Sequence, residues 1–358
     1  DGTVIDLNPD RGSMEAELHK LGKNLRTPYD DFLAYSRDQY ALVEEGYFEY
    51  GVDNPLELLK YYGPRVLKLS FLTTMDRAVR RRLPDPYLRD IFDFFIKYVG
   101  SSATRAPGFM NLLPHIQFGY GLWYVDGGMH RLADGLERLL REQGVRIHLD
   151  TEVTAVPVSG EKVRGVYAGG ELCERDVVVS NMEVIPAYKK LIGENRAFLK
   201  KLRRFEPSCS GLVVHLGLDH VYEQLAHHNF FYSNNQRAHF SSVFEKKELP
   251  DDPTIYVVAP SRTNPEVAPP GHDNIKILPH IPYMQQEHPY TRADYMVFMD
   301  RILDKLESMG LRDLRRHIVT RDVWTPADIQ AAYYANAGSI YGVVSDIWKN
   351  YAFKAPRH

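Results

Sequence analysis

"GLWYVDGGMHRLADGLERLLREQGVRIHLDTEVTAV", Gly121 to Val156, is the stretch on which the fold turns. It opens with the glycine pair Gly127-Gly128, which supplies a turn needing positive φ. Residues 128–143 carry Met129, Leu132, Leu136, Leu139 and Leu140 on one stripe at helical spacing, and Gly144 stops the helix. "VRIHLD" then alternates, with Val145, Ile147 and Leu149 on one side and Arg146, His148 and Asp150 on the other, as a strand does. Turn, amphipathic helix and strand follow one another as in a dinucleotide-binding unit. Yet no G-x-G-x-x-G occurs anywhere in the chain.

The residues after this stretch continue in the same style. "EVTAVPV", "VRGVYA" and "ELCERDVVVSN" read as a three-stranded meander with turns at "SGEK" and "GG", and the run Val177–Val179 reads as a buried strand. Upstream, residues 12–118 read as helices, several of which open at Asn-Pro, Gly-Pro or Asp-Pro. Within them, 64–82 reads as one basic amphipathic helix, with Val66, Leu67, Leu69, Phe71, Leu72 and Met75 against Arg65, Lys68, Arg77, Arg80, Arg81 and Arg82. Such a helix either lies in a membrane interface or packs on the protein with a solvated basic end. "DGTVIDLNPD" reads as a strand, a turn and a return strand. Downstream, "CSGLVVHLGLD", "HNFFYS", "TIYVVAPS", "NIKILPHIPY" and "RHIVTRDVWTP" read as strands, and "TRADYMVFMDRILDKLESMG" as a long helix.

Composition narrows the function. The 358 residues suffice for about two domains, and a net charge of −3 argues against nucleic acid as a partner. Two cysteines, Cys173 and Cys209, support neither a disulfide framework nor a metal cluster. His227 and His228 are adjacent and so point apart, and without H-E-x-x-H or C-x-x-C no metal site is assigned. No G-x-S-x-G elbow and no P-loop is present. No run of about 18 apolar residues predicts a transmembrane helix.

Several long blocks carry a resemblance. "GSSATRAPGFMNLLPHIQFGYGLWYVDGGM", "HRLADGLERLLREQGVRIHLDTEVTAV", "DVVVSNMEVIPAYKKLI", "CSGLVVHLGLD" and "LPDDPTIYVVAPSRTNPEVAPPGHDNIKILPHIPY", in that order, resemble the phytoene desaturase family of carotenoid biosynthesis, and the match runs over the whole chain. The resemblance implies an α/β fold in the mixed α+β sense. Residues 1–11 and 121–206 form an incomplete FAD-binding Rossmann-like domain with a β-meander, residues 12–120 a helical part that associates with substrate and membrane, and residues 207–358 a substrate domain of sheet and helices. It also implies that the family's glycine-rich phosphate loop and its C-terminal flavin segment lie outside these residues, so that this chain by itself does not retain FAD and is inactive.

The implied reaction is FAD-dependent dehydrogenation of a long polyene such as phytoene or diapophytoene, in a cytoplasmic, peripheral membrane enzyme. The resemblance sets Val153 beside adenine, Gly127 and Gly128 near the flavin ring and substrate, and Asn181 on the loop returning beside the cofactor. Phe109, Leu112, Leu113 and Trp123 are the expected substrate lining. No catalytic residue is assigned; Asp126, Arg65 and Arg77 are charged groups for which ion-pair and surface roles are the plainer reading. Two alternatives stay open: an amine-oxidase-like flavoprotein with another substrate, and a non-enzymatic polyisoprenoid- or lipid-binding module.

Overall fold

A computed structural model describes residues 2–22, 24–50, 55–160, 162–193 and 196–349. It is a mixed α/β fold in which one large antiparallel sheet lies between a long helix and a helical layer.

The sheet is built from β6 (Ser210–Gly211), β7 (Val213–Leu218), β8 (His228–Phe231), β9 (Ile255–Val258), β10 (Asp273–Ile281) and β11 (Ile318–Trp324) in the order β11-β7-β10-β9-β8, with β6 also on β10. Alternation along β7 and β10 makes two unlike faces. Leu212, Val214, Leu216, Ile255, Val257, Ile275 and Ile277 are buried on one face. That face packs on Tyr295, Phe298, Met299, Ile302, Leu303 and Leu306 of a long helix, Arg292–Ser308. The helix starts where the sequence predicts because Thr291 and Asp294 form a reciprocal capping box.

The helical layer covers the other face. It comprises α1 (Arg11–His19), α2 (Arg26–Val43), α3 (Pro55–Tyr62), α4 (Met75–Arg80), α5 (Pro86–Phe94) and α6 (Leu113–Tyr120). Asp85 accepts from the backbone N–H groups of Tyr87 and Leu88, and Pro86 sits in the first turn, so α5 is fixed at its start. Its inner side, with Leu88, Phe92 and Phe94, joins Met14, Leu18, Phe32 and Met75 in one core. Phe230 of β8 and nearby Tyr232 pack against that core, which ties the layer to the sheet. Asp76 adds a polar tie: Arg80 holds it at 2.6 Å, and Arg237, from the short helix Gln236–Ser241, holds it at 2.6 Å.

Three sequence expectations change here. The single helix over 64–82 is instead a 3-10 turn, Gly63–Lys68, an extended link and then α4. Thr74 breaks the run because its side chain caps α4, accepting from Arg77 N–H at 3.3 Å. Residues 2–8 form no strand; Ile5 and Leu7 bury against the helical core instead of against each other. Neither "VRIHLD" nor "VVVSN" forms a strand, and Val177 and Val179 are 77% and 92% exposed. An apolar strand of that kind needs a ladder on each side. Among the described residues every strand pair is antiparallel, and none flanks these two runs. The meander itself forms: β1 (Val153–Ala155), β4 (Gly165–Ala168) and β5 (Glu171–Glu174) pair in the order β1-β4-β5, with β2 (Val158–Ser159) and β3 (Lys162–Val163) as a hairpin between them.

Candidate active site

The sheet face turned toward the helical layer is not apolar core. Register lines up His228, Val258, Lys276, His215 and Asp322 in one row, and Phe230, Tyr256 and Leu278 in the next. His280 follows two residues on from Leu278 and is buried. Phe230 and Tyr256 stack at 4.8 Å, nearly parallel at 9°. Opposite them stands the end of α5 and the turn Phe95–Val99. Phe94 meets Phe230 at 5.7 Å and His280 at 5.9 Å.

The segment 339–349 closes one side of this seam. Cys209 N–H donates to Gly100 O, Ser208 N–H to Gly342 O, and Ser345 N–H to Ser101 Oγ. Tyr341 is thereby laid over Gly100 and 6.0 Å from the His280 ring. Gly100 lies at φ 60°, and an added Cβ would run into the Tyr341 ring, so glycine is needed for both space and conformation.

At the centre is Lys97, 8% exposed. Its Nζ lies 4.0 Å from the Phe230 ring, 4.4 Å from Tyr98 and 5.1 Å from Phe95. Burial alone pushes its pKa down from 10.5 to about 7. His280 is pushed down to about 4 by burial and by Lys97. His228 remains exposed at one edge, yet desolvation, His227, Lys97 and Lys276 hold it below its ordinary value. Tyr256 Oη meets His228 Nδ1 at 2.8 Å, and burial raises the pKa of both Tyr256 and Tyr341. His228, His280, Tyr256 and Tyr341 are therefore neutral at pH 7. The seam offers rings, imidazoles and the amines of Lys97 and Lys276, and among the described residues no carboxylate is placed against Lys97.

A cavity lies elsewhere. It measures about 910 Å³ and is lined by Arg105, Glu206, Lys247, Asp346 and Lys349 among others. Glu206 pairs with Lys247 and Lys349, and Arg105 pairs with Asp346 at 3.0 Å. Such a charged lining suits water and ions rather than an apolar ligand.

The residues singled out from sequence fall in three places. Tyr124 sets its ring 5.4 Å from His227, so the chain entering the Gly127-Gly128 turn runs along the β8 edge of the seam. Val153 and Asn181 belong to a second region. Tyr334 donates to Glu152, Asn336 N–H donates to Glu183 at 2.6 Å, and Lys190 stands 4.1 Å over the Tyr334 ring. One short segment thus fastens both the start of β1 and the loop after Asn181. Phe109 and Leu112 lie in a small cluster with Val43, Tyr62 and Leu69, joined by Leu113, inside the helical layer, while Trp123 is 88% exposed. Asp126 and Arg77 are exposed, and Arg65 pairs with Glu45.

The glycine turn allows a test of whether a flavin fits. Gly127 and Gly128 have φ of 77° and 92°. A Cβ at Gly128 would meet only Tyr124 Oη, at 3.7 Å, so the backbone there is open to close approach. The helix that follows, α7 (His130–Glu142), has no side-chain cap and no buried residue. Val153 lies on the edge strand of its sheet, where one side of the backbone faces no other strand. Open backbone at a turn, at a helix start and at a sheet edge, beside the exposed Leu132 and Leu136, fits a large planar cofactor that needs both hydrogen bonds and apolar cover.

Sequence reasoning missed Lys97, His228, Tyr256, His280 and Tyr341. One signal was present: in "NIKILPHI" the residues alternating with Ile275 and Ile277 are Asn274, Lys276, Leu278 and His280. A strand with one apolar face and one face of Lys and His marks a sheet whose second side is not ordinary core.

Comparison with known proteins agrees with this geometry. Residues 11–274 match the family described as flavin containing amine oxidoreductase. The chain is 53% identical over its whole length to 4,4'-diapolycopene oxygenase of Methylomonas sp, covering 72% of that protein. It is 47% identical, again over its whole length and 72% of the relative, to 4,4'-diaponeurosporene oxygenase of Staphylococcus aureus. Among solved structures, a cofactor-site variant of putrescine oxidase superposes over 90% of this chain and 69% of that one, with a TM-score of 0.54 at 12% identity. The wild-type putrescine oxidase bound to putrescine gives a TM-score of 0.52 at 12% identity over 84% of this chain and 61% of that one. A non-enzymatic binding module is thereby set aside: the chain belongs to the flavin-containing amine oxidoreductase family, and it is an oxidoreductase whose cofactor is FAD.

Proposed function

We propose that this chain serves FAD-dependent oxidation of a long acyclic polyene of the carotenoid class. The observation that carries the reading is the seam itself: Phe94, Tyr98, Phe230, Tyr256 and Tyr341 offer ring surface, and the histidines between them are held uncharged. A hydrocarbon has no polar handle, so apolar contact must bind it. Bound FAD would supply the two-electron acceptor, with Gly127, Gly128, Val153 and Asn181 as the residues to hold it. The chain's own part is to align the polyene against that acceptor and to exclude water.

Two of the relatives are named oxygenases of 4,4'-diapo polyenes, which supports oxygenation of a polyene end ahead of the desaturation of phytoene expected from the sequence. Incubation with FAD, oxygen and either diapophytoene or 4,4'-diaponeurosporene separates the two. Oxygenation adds the mass of oxygen to the product. Desaturation removes two hydrogens and shifts absorption to the red. A product from neither polyene, with turnover of an amine instead, would sink the proposal.

Access to such a substrate requires a bilayer surface. Among the described residues no helix is long and apolar enough to cross a membrane. The helical layer does expose Phe48, Leu56, Leu67 and Leu72, at 60%, 79%, 81% and 89%, beside Lys60 and Lys68. Apolar side chains flanked by cations suit an anionic interface. Flotation with phosphatidylglycerol vesicles tests this: L67D/L72D should stay at the bottom of the gradient.

A further inference from the structure

Lys97 is a feature of the seam that a hydrocarbon site does not need. Its amine is surrounded by ring faces, and among the described residues it has neither a carboxylate nor a hydrogen-bond partner. The groups that face it are Phe94, Phe95 and Tyr98 near it in the chain, Phe230 and His228 from the sheet edge, and His280 from β10. None carries negative charge. Burying an amine without an anion is unfavourable, and ring faces offset only a part of that. A purely structural role at this position would be filled better by Met or Leu. The Lys97 side chain is 8% exposed, so most of its length is packed among these rings.

We propose that Lys97 captures a carbonyl carbon at the end of an oxidised polyene as an imine, holding that end in the seam. This rests on the polyene reading given above. In the step, the Nζ lone pair attacks the carbonyl carbon and the C=O pair moves to oxygen. The two amine hydrogens and that oxygen leave as one water, and a C=N bond remains. Hydrolysis reverses it, and no oxidant or reductant is consumed. Because burial keeps much of the amine unprotonated near neutral pH, the nucleophile is available without a separate base.

All-trans-retinal serves as a polyene aldehyde probe, lycopene as the hydrocarbon and all-trans-retinoic acid as the carboxylate. The chain is mixed with limiting retinal and cyanoborohydride at pH 7.5, digested and mapped by mass spectrometry. The expected result is a reduced retinyl adduct on Lys97, at least fivefold above any surface lysine, and none at that position in Lys97→Met. Lys97→Arg keeps the charge but forms no imine and should also lose the adduct. Adduct spread evenly over surface lysines in all three proteins would overturn the proposal. So would retention of retinoic acid in preference to retinal that depends on Lys97, because it would mean ion pairing. Co-elution of lycopene with all three proteins, without a Lys97 adduct, would remove the imine and leave the polyene reading intact. If neither lycopene nor retinal co-elutes with the wild-type chain, the polyene reading itself falls.

Discussion

Lys97→Met should make this protein more stable, and the gain should vanish at high pH. Burial lowers the Lys97 pKa from 10.5 to about 7. Between those values the unfolded chain binds more protons than the folded one, so stability rises with pH across the window. Below pH 7 the full penalty is present; above 10.5 it is gone. The drop from 10.5 to about 7, at about 1.36 kcal/mol per pH unit, amounts to about 5 kcal/mol. The ring faces at 4.0 and 4.4 Å return about 1–2 kcal/mol of it. A Met of similar length keeps the aliphatic stem contacts. The variant should therefore be more stable by about 3–4 kcal/mol at pH 6.5, which for a chain of this size is a melting temperature higher by roughly 4–5 °C. Thermal melts of both proteins from pH 6 to 10.5 read the difference directly. Lys247, Lys276, Lys305 and Lys349 are also pushed down by burial, but they are common to both proteins and cancel. A gap between the two curves that is the same at pH 6.5 and 10, or a variant that melts lower at 6.5, would refute the reasoning.

Three further outcomes test other parts of the structure. Arg237→Met strips one of two cations from the buried Asp76 carboxylate and should cost about 1–3 kcal/mol, seen as a lower denaturation midpoint at neutral pH; because, against the opposing effect of burial, these cations hold the Asp76 pKa below its ordinary value, the deficit against the wild type shrinks as the pH falls through that lowered pKa. Gly100→Ala sets a Cβ into the Tyr341 ring at φ 60°; a loss of about 1–3 kcal/mol is expected, with changed near-ultraviolet dichroism from the displaced tyrosine. Ile302→Ala empties a fully buried site between the long helix and the sheet and should lower stability by about 2–5 kcal/mol in urea unfolding, with the far-ultraviolet spectrum retained.

Much of the secondary structure was legible locally. Thr291-Arg-Ala-Asp294 announces a capped helix, Asp85-Pro86 another, and "GVYAGGELCE" a hairpin with left-handed glycines at its turn, because caps and turns are decided by residues within a few positions. The elements that misread are those whose state depends on a neighbour far away in sequence. Val177–Val179 has the composition of a buried strand, yet Val177 and Val179 are exposed, since among the described residues no strand stands beside this run to complete a ladder. Residues 64–82 have helical spacing, yet Thr74 caps a new helix and Leu69 turns inward to Val43 and Tyr62.

The sequence by itself pointed to the family and, through that resemblance, to a flavin cofactor, because both rest on blocks of residues; the strand it read from a period of two, "VRIHLD", does not form. Only the tertiary structure decided which faces meet. Lys97 sits in "FFIKYVG", His228 in "HHNFF", Tyr256 and His280 on separate strands, and Tyr341 some 240 residues after Lys97. Nothing local in any of them marks a site. Antiparallel register sets the rings and imidazoles in rows, and the helical layer lowers one amine onto them. Burial without a counter-charge then gives that amine its chemistry, and burial is a property of the fold alone.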